Sequence, residues 1–445
     1  MDKCLIEFTK TFQNLQFFHQ NRQLTNEKHT KTLSKKEKLA IFAKENKTHM
    51  NDKVIKIVNE ARWADGQNVR TRLDDITYNP MRSQEEFVMR LTRENARTEY
   101  GRRYDFTHIH SIEEFRKYLP LTTYEDYIPY IESITNGKKN ILTAYLTEHI
   151  SVLDDSRKLP QSRWSVQTGY DYSFCAGFYL AGHYGYLTEG MTLNLMESHI
   201  EHLSSGVTIG NLLGRLLTKR KFDSTQVYVI PVDTKDQPNE HDKCYTQALY
   251  ALSQRDISLA MCDHYDNLVE LLRYIEKHWP KLTEDIEQGH FNIPSDPERA
   301  NAIREKMEYH HIGTQMVEDL WPGLRCIMVR DVDNLSASFE LLRTYCGSKV
   351  HFIFTGISSP EGTFSTAINL DDPQTVLIPD SVFYEFKPKE ASSYYQLLTL
   401  DQLEIGRSYE LVVTTLSGLY RYQTKKTILV VGRYHDTPTV IIDKE

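Results

Sequence analysis

The sequence lacks several features that would define its class at once. It has no run of eighteen apolar residues, so we predict no membrane-spanning helix. Its start, M-D-K-C-L-I-E-F-T-K, lacks the continuous apolar segment of a secretory signal. Its six cysteines include no C-x-x-C pair, which favours reduced thiols over a disulfide frame or a zinc site. These absences predict a soluble, cytoplasmic protein.

An excess of positive charge is also missing. The formal net charge is −8, so composition gives no general attraction to nucleic acid or to an anionic membrane, and we expect neither as a partner. Lysines nevertheless crowd residues 1–50, which we interpret as a basic, partly disordered N-terminal arm. An arm that touches RNA or lipid headgroups is the alternative. The sequence does not indicate an oligomeric state.

The hydrophobic pattern changes along the 445 residues, which are too many for one compact core. A short helix is possible at Lys35–Asn46, and 52–106 has helical periodicity. Apolar runs at Val227–Val232 and Ile257–Met261 predict two strands joined by a helix. The last hundred residues are rich in strand patterns, so the fold class is α/β.

Two segments carry more specific local signals. In 111–137, Pro120 should end one helix, and Thr122 or Thr123 can cap the next, with acidic residues in its first turn. The segment 168–190 combines aromatic residues with glycines. It could line an apolar pocket for an acid, but packing in the core is the favoured interpretation.

The stretch 352–369 holds the most suggestive polar residues. His351–Phe354 is predicted to be a buried strand, and the chain then enters a loop rich in turn residues. Glu361 is the one acid of that loop and lies beside Ser358 and Ser359. A carboxylate and two hydroxyls at a strand end suit a Mg²⁺–nucleotide or a polar substrate. The alternative is an ordinary turn with a solvated glutamate.

Several blocks in order resemble one family. They are F-R-K-Y-L-P-L-T-T-Y-E-D-Y-I-P-Y-I-E-S-I-T-N-G (115–137), W-P-K-L-T-E-D-I-E-Q-G (279–289), S-S-P-E-G-T-F-S-T-A-I-N-L (358–370) and Y-E-L-V-V-T-T-L-S-G-L-Y-R-Y (409–422). Over about 52–440 the chain resembles the auxin-responsive acyl-acid amido synthetases, the Gretchen Hagen family, which are relatives of the acyl-adenylate-forming enzymes.

The resemblance implies both a fold and a chemistry. Residues 51–435 are expected to form the large domain of the acyl-adenylate-forming type, with mixed sheets flanked by helices. Residues 436–445 are expected to start a hinge to a C-terminal lid domain that is largely absent. The implied partners are a small carboxylic acid and an amino acid. ATP with Mg²⁺ activates the acid as an acyl-adenylate, and the amine of the amino acid then attacks.

The resemblance also implies a set of site residues. Lys158 and Glu361 are the catalytic candidates: Lys158 would meet the phosphates, and Glu361 would hold Mg²⁺. The nucleotide-binding candidates, from the second and third motifs, are Ser358, Ser359, Gly362, Tyr420, Arg421 and Lys426.

The sequence departs from the family pattern at three places. The first motif, a glycine-rich phosphate loop in the family, here reads S-V-L-D-D-S-R-K-L-P-Q-S (151–162), with Asp154 and Asp155 at its centre. Lys426 falls where the family has an aspartate for the ribose, and Pro360 is an extra residue in the second motif. We therefore expect weak ATP binding or none. A ligase and a non-catalytic descendant that binds a small acid or a protein partner both remain open.

Overall fold

The computed structural model describes residues 35–153, 155–187, 190–196, 199–203, 206–217, 227–230, 240–290, 293–309, 314–330, 337–390 and 396–443, with backbone alone at 35–52, 213, 240–242 and 337. The chain divides into two compact units, Met1–Met50 and Asn51–Glu445. In the first unit, the described residues 35–50 are helical. The rest of the predicted N-terminal arm lies outside the described residues.

The helices of the described chain are mostly amphipathic. They are α1 (Lys35–Tyr78), α2 (Pro80–Asn95), α3 (Glu99–Arg103), α4 (Ile112–Tyr118), α5 (Ile128–Thr135), α6 (Arg163–Tyr170), α7 (Ala176–His183), α8 (Leu212–Leu217), α9 (Glu240–Ser253), α10 (Tyr265–Gln288), α11 (Pro297–Glu308), α12 (Met316–Leu320) and α13 (Ala337–Cys346). The short helix predicted at Lys35–Asn46 is therefore only the beginning of α1. No proline interrupts α1 before Pro80, which opens α2.

Side-chain caps fix where several helices begin. Asn79 accepts a hydrogen bond from the backbone of Arg82 at 3.2 Å at the start of α2. Thr123 and Asp126 form a capping box at the helical turn Tyr124–Tyr127, which confirms the cap predicted at Thr122 or Thr123. At the start of α11, Asp296 accepts a hydrogen bond from the backbone of Arg299 at 2.9 Å, and Pro297 is the first residue of the helix.

The strands in the described part of the chain form four sheets. They are β1 (Thr147–Val152), β2 (Lys158–Ser162), β3 (Met191–Asn194), β4 (Ile200–His202), β5 (Thr208–Gly210), β6 (Ile257–Cys262), β7 (Cys326–Val329), β8 (His351–Phe354), β9 (Ser358–Ser359), β10 (Gly362–Thr363), β11 (Ser365–Ala367), β12 (Thr375–Leu377), β13 (Val382–Pro388), β14 (Ser408–Thr415), β15 (Tyr422–Tyr434) and β16 (Thr437–Ile442).

One sheet is parallel, in the order β3-β6-β7-β8. Helical crossovers connect β6, β7 and β8, and β6 and β7 are buried throughout because helices pack on the sheet. The βαβ prediction is confirmed in part. Strand β6 covers Ile257–Met261, but Tyr228 makes only an isolated bridge to Thr192, and 231–239 lie outside the described residues.

A second sheet has six antiparallel strands in the order β11-β12-β16-β15-β14-β13. Strand β16 therefore lies inside the sheet, between β12 and β15, with Val430 opposite Val440. The third sheet has the order β2-β1-β5-β4, and β9 and β10 form a separate hairpin. This mixed α/β architecture confirms the predicted fold class. That a hinge starts at 436–445 stays a prediction, and Thr437–Ile442 forms β16.

The aromatic segment is confirmed as core. It forms α6, a π-helical turn (Asp171–Cys175) and α7, and Tyr170, Phe174, Phe178 and Leu180 are buried. A Cβ on Gly177 would lie 2.3 Å from the Met328 side chain, so this glycine allows the close approach of α7 to the parallel sheet. Within the described part of the chain, no helix combines the length and the apolar character needed to cross a membrane.

Candidate functional site

The second motif is a tight hairpin just past the end of β8. Gly356 has φ +103°, and a Cβ there would lie 2.1 Å from the carbonyl oxygen of Ser365, so only glycine lets the chain pass. Ser359 pairs with Gly362, which leaves Pro360 and Glu361 as the two turn residues. Proline suits the first central position of such a turn because its φ is already near −65°.

The Glu361 side chain is held inside the protein. The residue is 4% exposed, and the Ser359 hydroxyl donates a hydrogen bond of 2.6 Å to its Oε2. Nζ of Lys426, on β15, lies 4.0 Å from the same oxygen. The interpretation of Glu361 as a solvated turn residue is therefore wrong. A buried carboxylate needs such partners because desolvation of a charge is costly.

Ser358 and Gln161 complete the hairpin. The Ser358 hydroxyl lies 3.2 Å from that of Thr363 across the two strands. Gln161, on β2, donates a hydrogen bond of 2.6 Å from its Nε2 to the carbonyl of Pro360. The second-motif turn is therefore bound to β2, the strand in the second half of the first motif, which joins two motifs that are about 200 residues apart.

Sequence reasoning did not identify Arg157, which brings a second cation to this cluster. Its Nη1 donates to the Tyr422 hydroxyl at 3.3 Å, and its guanidinium lies 5.3 Å from the centre of the Tyr124 ring. Burial raises the pKa of Tyr422 to about 12, and the negative charge of Glu361 adds to the rise. Its position next to Lys158 in the first motif is the sequence feature that could have identified Arg157.

The first motif forms the turn between β1 and β2 and is closed on itself. The backbone N–H of Leu153 donates to the carbonyl of Arg157, and that of Ser156 donates to the carbonyl of Leu153, both at 2.9 Å. Asp155 accepts from the backbone N–H of Arg157 at 3.1 Å and from its Nε at 2.7 Å. These N–H groups, which a phosphate loop would turn outward, are occupied within the turn.

Among the described residues of this turn, Asp155 and Arg157 neutralise each other. Partial burial lowers the pKa of Arg157, but the hydrogen bond to Asp155 contributes to an overall rise. The same hydrogen bond lowers the pKa of Asp155. Lys158 begins β2 with an exposed side chain, and its backbone N–H donates to the Tyr124 hydroxyl at 3.0 Å. Asp154, the other acid predicted to repel phosphate, lies outside the described residues.

Two third-motif residues point into the protein. Tyr420 is fully buried, donates from its hydroxyl to the carbonyl of Leu142 at 2.9 Å, and stacks on Tyr100 at 4.7 Å. The Arg421 guanidinium binds Glu385, on β13, through two hydrogen bonds of 2.8 Å each. The structure thus brings together Ser358, Ser359, Glu361, Gly362 and Lys426, whereas the side chains of Tyr420 and Arg421 are engaged by protein groups elsewhere. The nucleotide-binding roles of all these residues stay predictions.

A small cavity adjoins Glu361. Its volume is about 20 Å³, and its lining includes Gln161, Glu361 and Thr415. One water molecule needs roughly 10–15 Å³ of such space, so the cavity accommodates a water molecule and not a nucleotide. Among the described residues there is also no group of three or more His, Cys, Asp or Glu side chains arranged to hold a metal ion.

Models of known protein families match most of the chain. A model described as the GH3 family N-terminal domain matches residues 69–351, and one described as the GH3 family central domain matches 375–443. The two matches together cover more than half of the sequence and include the first and third motifs, whereas the second motif, 358–370, lies between them.

Curated proteins give the same result. The chain is 25% identical over 421 residues to the probable indole-3-acetic acid-amido synthetase GH3.11 of Oryza sativa subsp. japonica, covering 84% of this chain and 70% of that protein. It is 24% identical over 409 residues to the 4-substituted benzoates-glutamate ligase GH3.12 of Arabidopsis thaliana, covering 82% and 69%.

The fold is likewise similar to a solved structure. The acyl acid amido synthetase AtGH3.15 in complex with 2,4-DB superposes with a TM-score of 0.73 at 21% identity, covering 85% of this chain and 70% of that one. At this identity the likeness concerns the fold alone.

Proposed function

Because the chain belongs to the GH3 family, we propose that it is an acyl-acid amido synthetase-like protein, which joins a carboxylic acid to the amine of an amino acid. Similar proteins are named for indole-3-acetic acid and for 4-substituted benzoates, which makes an aromatic acid a suitable first substrate to test. The observation that carries the proposal is the buried Glu361 in the second-motif turn, held by Ser359 beside the strand of the first motif.

In this proposal ATP supplies the leaving group that an unreactive carboxylate needs. Mg²⁺ prefers oxygen ligands and is commonly bound by one or two carboxylates together with substrate phosphates. Glu361 fits the role of that carboxylate, and the hydroxyls of Ser358 and Ser359 with Gly362 would border the nucleotide. The Lys426 ammonium, 4.0 Å from Glu361, competes with a divalent ion for the same oxygen.

The first-motif turn does not fit a polyphosphate as it stands. Its backbone N–H groups at 153, 156 and 157 donate within the turn, and the Asp155 carboxylate binds the guanidinium of Arg157. Phosphate binding by the backbone of this turn would require these hydrogen bonds to break. The catalytic role of the exposed Lys158 stays a prediction.

The closed turn favours a second candidate function. A protein of this family that binds a small acid or a protein partner without activating the acid has no need of a phosphate loop. The Glu361–Lys426 pair would then serve stability, because the ammonium neutralises a buried carboxylate. Both candidates share the fold, so only a measurement of the reaction separates them.

The free cysteines support a cytoplasmic location for either function. Cys326 and Cys346 are buried and form no disulfide. Buried thiols without disulfide partners suit a reducing compartment.

Acid-dependent exchange of pyrophosphate into ATP is the decisive experiment. Indole-3-acetate and a substituted benzoate should support exchange in the parent protein, and Glu361→Gln should abolish it, because the amide keeps the shape and removes the charge that Mg²⁺ needs. The melting temperature of this variant should hardly change, since the amide oxygen of the substituted side chain still accepts from the Ser359 hydroxyl.

Two results would contradict parts of this proposal. Exchange that persists in Glu361→Gln would keep the ligase function but remove Glu361 from the mechanism. No exchange in the parent protein with any acid, while the acids still raise its melting temperature, would leave the binding protein as the function.

A further inference from the structure

A groove lies on the face formed by the end of α1, by α2 and by the β12–β13 connection. It does not include Glu361 or Lys426. Its volume is about 430 Å³, within the roughly 300–1,000 Å³ that is usual for small-molecule sites. Its lining consists of Arg72, Ile76, Ser83, Glu86, Phe87, Met89, Arg90, Arg93 and Asp380. None of these residues belongs to the three family motifs.

One wall of the groove is fixed by ionic and hydrogen bonds. Nε of Arg72, on α1, donates to Oδ2 of Asp380 at 2.6 Å. The hydroxyl of the buried Tyr172 donates to Oδ1 of the same aspartate at 3.1 Å. Because both carboxylate oxygens of Asp380 are engaged, the two charged side chains are held in place and the wall is preorganised.

The base of the groove is apolar. Phe87 is 2% exposed, and Ile76 and Met89 are partly buried against the neighbouring hydrophobic clusters. Since Phe87 exposes little surface, Ile76 and Met89 provide most of the apolar contact for the body of a ligand.

The rim carries two arginines that are not neutralised. Arg72 is paired with Asp380, and Glu86 is paired with Arg82 at 2.8 Å, so these charges cancel. Arg90 and Arg93 are exposed, and in the described part of the chain no carboxylate lies within ion-pair distance of either guanidinium. Glu94, the nearest acid in sequence, accepts a hydrogen bond from the Tyr145 hydroxyl.

The spacing of the two arginines suits one ligand. Residues three apart on a helix are neighbours on its surface, so both guanidinium groups can reach the same anionic group. The guanidinium fork matches the two oxygens of a carboxylate.

We propose that this groove binds a small organic anion with an apolar body, such as an aromatic carboxylate, with Arg90 and Arg93 on its charge and Phe87, Ile76 and Met89 under its body. The site is separate from the Glu361 cluster, and its occupation does not depend on ATP or Mg²⁺. It therefore stands independently of the proposed ligase function.

Calorimetric titration of the whole protein with cinnamate, without ATP or Mg²⁺, tests the proposal. Saturable binding is expected, weaker at high salt because the rim is exposed. The double variant Arg90→Gln and Arg93→Gln should bind about tenfold more weakly, since charge-assisted hydrogen bonds are lost. Arg97→Gln is the matched control, because Arg97 is exposed nearby and does not line the groove, and it should bind like the parent.

Cinnamyl alcohol, the neutral analogue, should bind far more weakly than cinnamate. Equal binding of the alcohol and the acid would overturn the role of the arginines. Cinnamate binding that is unchanged in the double variant would place the ligand at another site, and no binding in the parent would reject the groove as an anion site. Circular dichroism confirms that each variant is folded.

Discussion

Arg421 and Glu385 form a two-point ion pair inside the six-stranded sheet. Nε and Nη2 of the arginine each lie 2.8 Å from a different carboxylate oxygen, and Glu385 is 1% exposed. Nη1 donates to the backbone carbonyls of Arg116 and Leu119 at the end of α4. Arg421 itself has φ +50°, so its backbone conformation is set by these contacts rather than by local preference. The pair joins the third motif to a helix about 300 residues away in sequence.

Arg421→Met should destabilise the protein by about 3 kcal/mol or more, because it leaves the buried Glu385 with only Arg116 as a charged partner. Urea unfolding measures the change. Arg407→Met, which breaks an exposed pair with Glu404, is the control and should have a far smaller effect. A small loss of stability in Arg421→Met, together with weaker nucleotide binding, would instead support the nucleotide-binding role of Arg421.

Lys426→Asp should make the protein sensitive to Mg²⁺. The new carboxylate would face Glu361, and two like charges at this distance repel, so the variant should melt lower than the parent in EDTA. Added Mg²⁺ should restore the melting temperature, because binding to the native state stabilises it by mass action. Lys425→Asp, at the adjacent position, should show no such restoration. A parent protein that is already stabilised strongly by Mg²⁺–ATP would contradict the competition between Lys426 and the metal.

Asp155→Asn should strengthen binding of pyrophosphate. The substitution weakens the interaction of residue 155 with the Arg157 guanidinium and removes a negative charge from the first-motif turn. Calorimetric titration with pyrophosphate measures the gain. Combining it with Arg157→Gln should cancel the gain, since the released guanidinium is then missing. Equal affinity in Asp155→Asn and the parent would show that the closed turn is not what limits anion binding.

Stability should fall at acid pH through His149. Burial, assisted by the charge of Arg215, lowers the pKa of this histidine from 6.5 to about 4. The folded state therefore keeps His149 neutral, while the unfolded state takes up a proton below pH 6.5. The free energy of unfolding should thus decrease as the pH falls from about 6.5 towards 4.

His149→Gln removes this proton uptake while keeping a polar group near Thr208, whose hydroxyl lies 2.9 Å from Nδ1 of His149. Urea unfolding midpoints at neutral and acid pH should differ less in the variant than in the parent. An identical pH dependence in both proteins would exclude His149 as its source.

Local signals in the sequence predicted much of the fold. The apolar run of β8 and the capping box at Thr123 depend on neighbouring residues, and both predictions are confirmed. The core position of Phe174 and Phe178 was also predicted, because large aromatic side chains bury most area.

Local sequence signals predicted less of the candidate site. The burial of Glu361 depends on β15, which brings Lys426 to it, and on β2, which brings Gln161 to Pro360. Arg157 reaches Tyr422 only because β1 and β2 turn back on each other. These contacts join residues that are far apart in sequence, so no local pattern reports them.

The interior place of β16 has a consequence for synthesis. Strand β12 cannot pair with β16 until the chain has been made through Thr437–Ile442, so β12 keeps an open hydrogen-bonding edge during that interval. Open edges of this kind are prone to pair with other chains. Nascent chains of this protein should therefore depend on chaperones until β15 and β16 emerge together as a hairpin and close the sheet.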